Sequence, residues 1–118
     1  MSTAITERAF QAKVMQLASM YGWHCAHFRP SMTADGRWLT AISGDAGYPD
    51  LTLAHPRRGI IFAELKTDSG RLAPAQHKWL ETLAQAARRN TAVEVWRPGD
   101  LEQIAAQLHQ GSGGRPQS

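Results

Sequence analysis

Apolar residues recur at Phe10, Val14, Leu17 and Tyr21, spaced by four, three and four positions. That is one face of a 3.6-residue period, and it predicts a helix over residues 4–21 that Gly22 terminates. Carried three residues back, the same face reaches Glu7, a carboxylate in register with an apolar stripe. Residues 23–28 (WHCAHF) predict a strand that Pro30 stops. Residues 31–48 are rich in glycine breaks and mixed in polarity, which predicts a long loop with a short hairpin around Asp35-Gly36. DLTLA at 50–54 predicts a short strand, HPRRG at 55–59 a basic turn, and IIFAELK at 60–66 the strongest strand in the chain. Period-two alternation puts Ile60, Phe62, Glu64 and Lys66 on one face of it and Ile61, Ala63 and Leu65 on the other. Pro74 opens a helix over 74–89 whose inward face reads Gln76, Leu80, Leu83 and Ala87. TAVEVW at 91–96 predicts a further strand with Val93 and Val95 pointing one way. Asp100 and Gln103 have capping-box spacing before a last helix to about His109, with Leu101, Ile104, Ala105 and Leu108 inward. The order helix, strand, strand, strand, helix, strand, helix predicts an α/β domain, a small mixed sheet flanked by helices, over residues 1–110. The glycine-rich segment 111–118 predicts a flexible tail.

Composition narrows the class. With 118 residues, 42% hydrophobic and 19% charged, the chain reads as one globular domain. No apolar run nears the roughly 20 residues a bilayer span requires, so no membrane partner is expected. MSTAITERAF lacks the basic and apolar regions of a signal peptide, and Cys25 has no second cysteine to pair with. A reduced, cytoplasmic setting is the expectation. Thirteen basic residues against ten acidic give a net charge of +3, which permits nucleic-acid binding without demanding it. Between residues 29 and 78, Arg29, Arg37, Arg57, Arg58, Lys66, Arg71 and Lys78 surround a few acids. That mixture suits a polyanion held around a metal, and equally a solvated basic surface.

The sharper signal lies in the strands. Glu64 and Lys66 leave one face of the same strand, and burying such groups is costly unless they are paired or bound. An isolated E-x-K is common and by itself reads first as a cross-strand ion pair at a sheet end. Antiparallel pairing through the 55–59 turn sets Ala54 opposite Ile60, and therefore Asp50 opposite Glu64. Opposed carboxylates repel. A divalent cation between them removes the conflict, and hard oxygen donors select Mg²⁺ or Mn²⁺. Glu7 and Gln76 are the polar members of helix faces that pack on this sheet. His55 and His77 read as surface residues, and no His/Cys pair has zinc spacing.

Gly47-Tyr48-Pro49-Asp50-Leu51, then Phe62-Ala63-Glu64-Leu65-Lys66, then Gln76 with Trp79-Leu80, resembles the PD-(D/E)xK nuclease superfamily. More narrowly the chain is similar to the VRR-NUC family in its stand-alone phage and bacterial form, from about Glu7 to Leu108. Val93 to Leu101 also looks like the end of that family's domain. Two departures stand out. Ala73 occupies the position before Pro74 where a Ser or Thr cap is expected, and Ala87-Arg88-Arg89 is the nearest approach to Val-Arg-Arg. The resemblance implies a restriction-endonuclease-like core in αβββαβ order and a structure-selective endodeoxyribonuclease that cuts branched DNA such as four-way junctions, acting as a homodimer. It implies that Asp50, Glu64, the Leu65 carbonyl and Glu7 hold Mg²⁺ or Mn²⁺. Lys66 then serves the attacking water and Gln76 supports the site. Arg29, Arg37, Arg57, Arg58, Arg71 and Lys78 are the expected DNA contacts. Trp38 and Tyr48 are candidates to stack on a base, and Trp23, Phe28, Trp96 or Leu108 to supply a dimer interface. The competing readings are a nuclease of linear or nicked duplex and a non-catalytic DNA-binding module of the same fold.

Overall fold

The computed structural model describes residues 5–28, 31–32, 38–39 and 43–111. Helix α1, Glu7–Met20, starts where the Thr6 hydroxyl accepts the Ala9 N–H. The sheet strands are β1 (His24–His27), β4 (Leu51–His55), β5 (Gly59–Leu65) and β6 (Thr91–Trp96). Helix α2 spans Pro74–Ala86, and α3 spans Leu101–Gln110 after a 3-10 turn at Pro98–Asp100. Two short strands, β2 (Ser31–Met32) and β3 (Trp38–Leu39), pair antiparallel, Ser31 opposite Leu39 and Met32 opposite Trp38. They form the stem of the expected hairpin, whose Asp35-Gly36 tip lies outside the described residues.

The four-stranded sheet has the order β1-β4-β5-β6, antiparallel except for the parallel β5–β6 pair. The parallel pair needs a crossover, and α2 supplies it. Ala54 pairs with Ile60 and Leu51 with Ala63, the register that the short basic turn dictates. Side-chain alternation then sorts the two faces. Leu51, Leu53, Ile61, Ala63, Leu65 and Trp96 pack with Phe10, Val14 and Ala18 of α1 and with Ile104 and Leu108 of α3. On the opposite face, Thr52, Phe62 and Glu64 meet Tyr48 and α2.

The helices differ from expectation in detail. In α1 the fully buried line is Phe10, Val14, Ala18, with Leu17 and Tyr21 at its margin. Tyr21 caps the helix instead of continuing the stripe. Helix α2 ends at Ala86, three residues short of residue 89, because Ala87 turns extended at φ −61°, ψ 143°. Trp23, Trp96 and Leu108 do not offer an interface. All three are buried in the core, and the Trp23 indole N–H donates to the Leu108 carbonyl at 2.8 Å. Among the described residues, no helix is long and apolar enough to cross a membrane.

Candidate active site

The end of β1, the start of β4 and the ends of β5 and β6 form one edge of the sheet. Asp50 stands one residue before β4, where its carbonyl accepts the Phe28 N–H at 2.9 Å. Its carboxylate Oδ2 accepts the Leu65 N–H at 2.9 Å, so Asp50 caps the open end of β5. Glu64, next to Leu65, points to the opposite face and is only 2% exposed. Its Oε2 accepts the Gln76 side-chain N–H at 2.9 Å and lies 3.7 Å from the Lys66 Nζ. Its Oε1 is buried without a hydrogen-bond partner. Burial, and then the Asp50 charge, push the Glu64 carboxyl up to about 8, with Lys66 pulling the other way.

Gln76 works at two points. Its Oε1 accepts the Ala73 N–H at 2.8 Å while its Nε2 donates to Glu64. Ala73 has no capping side chain, so Gln76 supplies half of a capping box and joins the start of α2 to β5. Gly47 lets the two meet. Its φ is +100°, and an added Cβ would come within 2.5 Å of the Ala75 backbone. The next two residues are packing elements: Pro49 is fully buried, and Tyr48 sets its ring edge-to-face against Phe28, Phe62 and Trp79. The Tyr48 hydroxyl lies 2.8 Å from the Thr52 hydroxyl. The base-stacking candidate Tyr48 thus has its ring half-buried and set edge-on against these three neighbours.

Arg97, which sequence reasoning passed over, holds the loop after Lys66. Its Nη1 donates to the Thr67 carbonyl at 2.6 Å and to the Gly70 carbonyl at 2.7 Å. The Asp68 carboxylate accepts the Gly99 N–H, and Asp100 accepts the Arg97 N–H, so both sides of the junction are tied. Its only sequence signal is its place directly after β6.

Asp50, Glu64, Lys66 and Gln76 thus converge. Glu7 is exposed in the first turn of α1, and one turn on Gln11 lies 3.0 Å from the ring of His27 at the same sheet edge. The structure does not gather Glu7 with the other two acids. Among the described residues, no group of three or more His, Cys, Asp or Glu side chains is placed to hold a metal. Arg71 and Lys78 are exposed near this edge. Arg57 and Arg58 lie in the β4–β5 turn at the other end of the ribbon, roughly 15 Å away at about 3.3 Å per residue. Arg58 donates to the Tyr21 carbonyl at 2.7 Å, so neither arginine flanks the carboxylates as expected. Arg29, Arg37 and the Trp38 side chain lie outside the described residues.

One buried carboxyl with an orphaned oxygen, a half-buried second carboxyl, a lysine and an orienting amide share this edge, and their oxygens are donors of the kind a hard cation takes. The sequence profile of the VRR-NUC domain matches residues 30–100, a span that includes all four convergent side chains. No curated protein and no solved structure matches the chain at a significant level. With a nuclease-domain profile covering more than half its length, and that profile's region carrying the carboxylate–lysine edge, the chain belongs to the VRR-NUC family.

Proposed function

We propose that this protein is a metal-dependent endodeoxyribonuclease that hydrolyses phosphodiesters in branched DNA such as four-way junctions. The observation that carries the reading is the Glu64 Oε1, buried and unpartnered beside Asp50. An orphaned carboxylate oxygen is expensive without a ligand. The donor set fits Mg²⁺ or Mn²⁺: Glu64, Asp50 and the Leu65 carbonyl, which leaves the same strand edge as the N–H bonded to Asp50. Glu7, in the first turn of α1, is the further acid proposed for this edge. Held by these residues, a divalent ion would supply a water of lowered pKa and charge stabilisation at the scissile phosphate.

The chain's own groups do the rest. Gln76 holds the Glu64 Oε2, which fixes the carboxylate plane and leaves Oε1 for the cation. Asp50 is immobilised by the Leu65 N–H. Lys66 keeps a compact positive charge at the edge, where it orients the attacking water or neutralises the phosphate. Arg71 and Lys78, with Arg29 and Arg37, are proposed to contact the DNA backbone, which makes binding salt-dependent. Cutting both strands of a junction needs two active sites, which a homodimer provides. Labelled four-way junction, flap and linear duplex, each incubated with Mg²⁺, Mn²⁺ or EDTA, test the proposal. Metal-dependent cutting of the branched substrates supports it. Equal cutting of all three identifies a general nuclease, and binding without cutting in either metal defeats the enzymatic reading.

A further inference from the structure

Helix α2 carries two stripes. Gln76, Leu80 and Leu83 turn toward the sheet, Leu80 buried and the other two half-buried. Ala75, Lys78, Trp79 and Thr82 follow the i, i+3, i+4, i+7 rule of a second face. That face does not close on its neighbour. Between it and the loop at Asp45-Ala46 lies an open groove of about 390 Å³. Ala46 and Ala75 are too small to fill it. Its position is set by the active site, because Ala75 directly precedes Gln76, whose amide reaches Glu64.

We propose that this groove binds a single unpaired nucleotide of the DNA substrate, next to the scissile phosphate. The inference rests on the nuclease reading and names what that site accepts. Trp79 is fixed before any ligand arrives, its indole N–H donating to the Asp45 carbonyl at 3.1 Å and its ring set against Tyr48. A pinned aromatic is a stacking platform that loses little entropy on binding, and every base has a face to offer it. Lys78 gives one rim a cation for the phosphate. Asp45 on the other rim repels phosphate and so orients the nucleotide with its base toward Trp79. The chemistry is that of an unpaired nucleotide, since a paired base keeps both faces in its own stack. A branch point or flap supplies one next to a cut.

The test uses the full chain in EDTA and a short duplex bearing one unpaired nucleotide, compared with the same duplex bearing an abasic residue there. The wild type is expected to bind the base-bearing probe about ten-fold more tightly, the scale of one base on one aromatic ring. Trp79→Leu is expected to abolish that ratio while keeping phosphate affinity. Because Trp79 also packs on Tyr48, Ala75→Gln gives a second readout. It places a helix-forming side chain in the groove from an exposed position and is expected to bring the ratio to one with the melting temperature unchanged. Equal affinity of the wild type for the two probes overturns the proposal, as does a ratio that survives Ala75→Gln. Cleavage is scored separately on the same probes with Mg²⁺. Cutting without base discrimination removes the groove alone, and discrimination without cutting removes the nuclease reading alone.

Discussion

Replacing Glu64 with glutamine isolates the electrostatic conflict at the sheet edge. The carboxyl sits near 8 in the folded protein, against an ordinary 4.5 in the unfolded chain. Between those values the folded state holds one proton more than the unfolded state. Unfolding free energy therefore falls as pH rises through the window, by up to about 1.4 kcal/mol per pH unit from this group. By pH 7 the accumulated loss is about 3 kcal/mol, a large share of the roughly 5–15 kcal/mol that stabilises a domain. Below pH 4.5 the loss is absent. Glutamine keeps the shape of the protonated acid and cannot ionise. Metal-free Glu64→Gln is thus expected to equal the wild type near pH 5 and to exceed its stability progressively toward pH 8. Urea denaturation in EDTA at several pH values measures it. Adding Mg²⁺ at pH 8 is expected to restore the wild type and leave the variant unmoved. A stability difference that is constant across pH, or a variant weaker at every pH, refutes the reasoning.

Four further outcomes follow from named contacts. Gln76→Leu leaves the Ala73 N–H without its partner and the Glu64 Oε2 with Lys66 alone, so about 1–3 kcal/mol of stability is expected to go, with a larger fall in kcat than in DNA affinity. Gly47→Ala forces a side chain at φ +100° into the Ala75 backbone; the melting temperature and the cleavage rate should fall together, because the start of α2 must move. Arg97→Gln releases the Thr67 and Gly70 carbonyls and is expected to raise protease sensitivity of the 67–70 loop and slow cleavage, with partial rescue by Arg97→Lys. Tyr48→Phe removes only the bond to Thr52 and is expected to cost about 1 kcal/mol in denaturation and nothing in DNA binding.

Much of this site could be read from the chain because local rules set it. The 55–59 turn fixes the β4–β5 register, and that register alone brings Asp50 to Glu64. The in-register polar residue on α2 identified Gln76, since only a partner on the sheet reconciles an amide with an inward face. What stayed hidden depends on long-range packing. Nothing in the alternation of β4 says that Tyr48 will meet rings from residues 28, 62 and 79. A basic turn does not say how far it stands from the carboxylates, and the strand length carries Arg57 and Arg58 to the other end of the ribbon. Arg97 gave no pattern, because its partners are backbone carbonyls 27 and 30 residues away. Glu7 lay in register with its helix stripe, but Phe10 takes the first buried place and Glu7 stays in the exposed first turn.

The most direct measurement is cleavage of a labelled four-way junction by the wild type and by Lys66→Ala, with Mg²⁺ and with EDTA, alongside junction affinity. The account predicts cutting only by the wild type with metal, with junction binding retained by the variant. Cutting in EDTA, or full activity of Lys66→Ala with Mg²⁺, contradicts it.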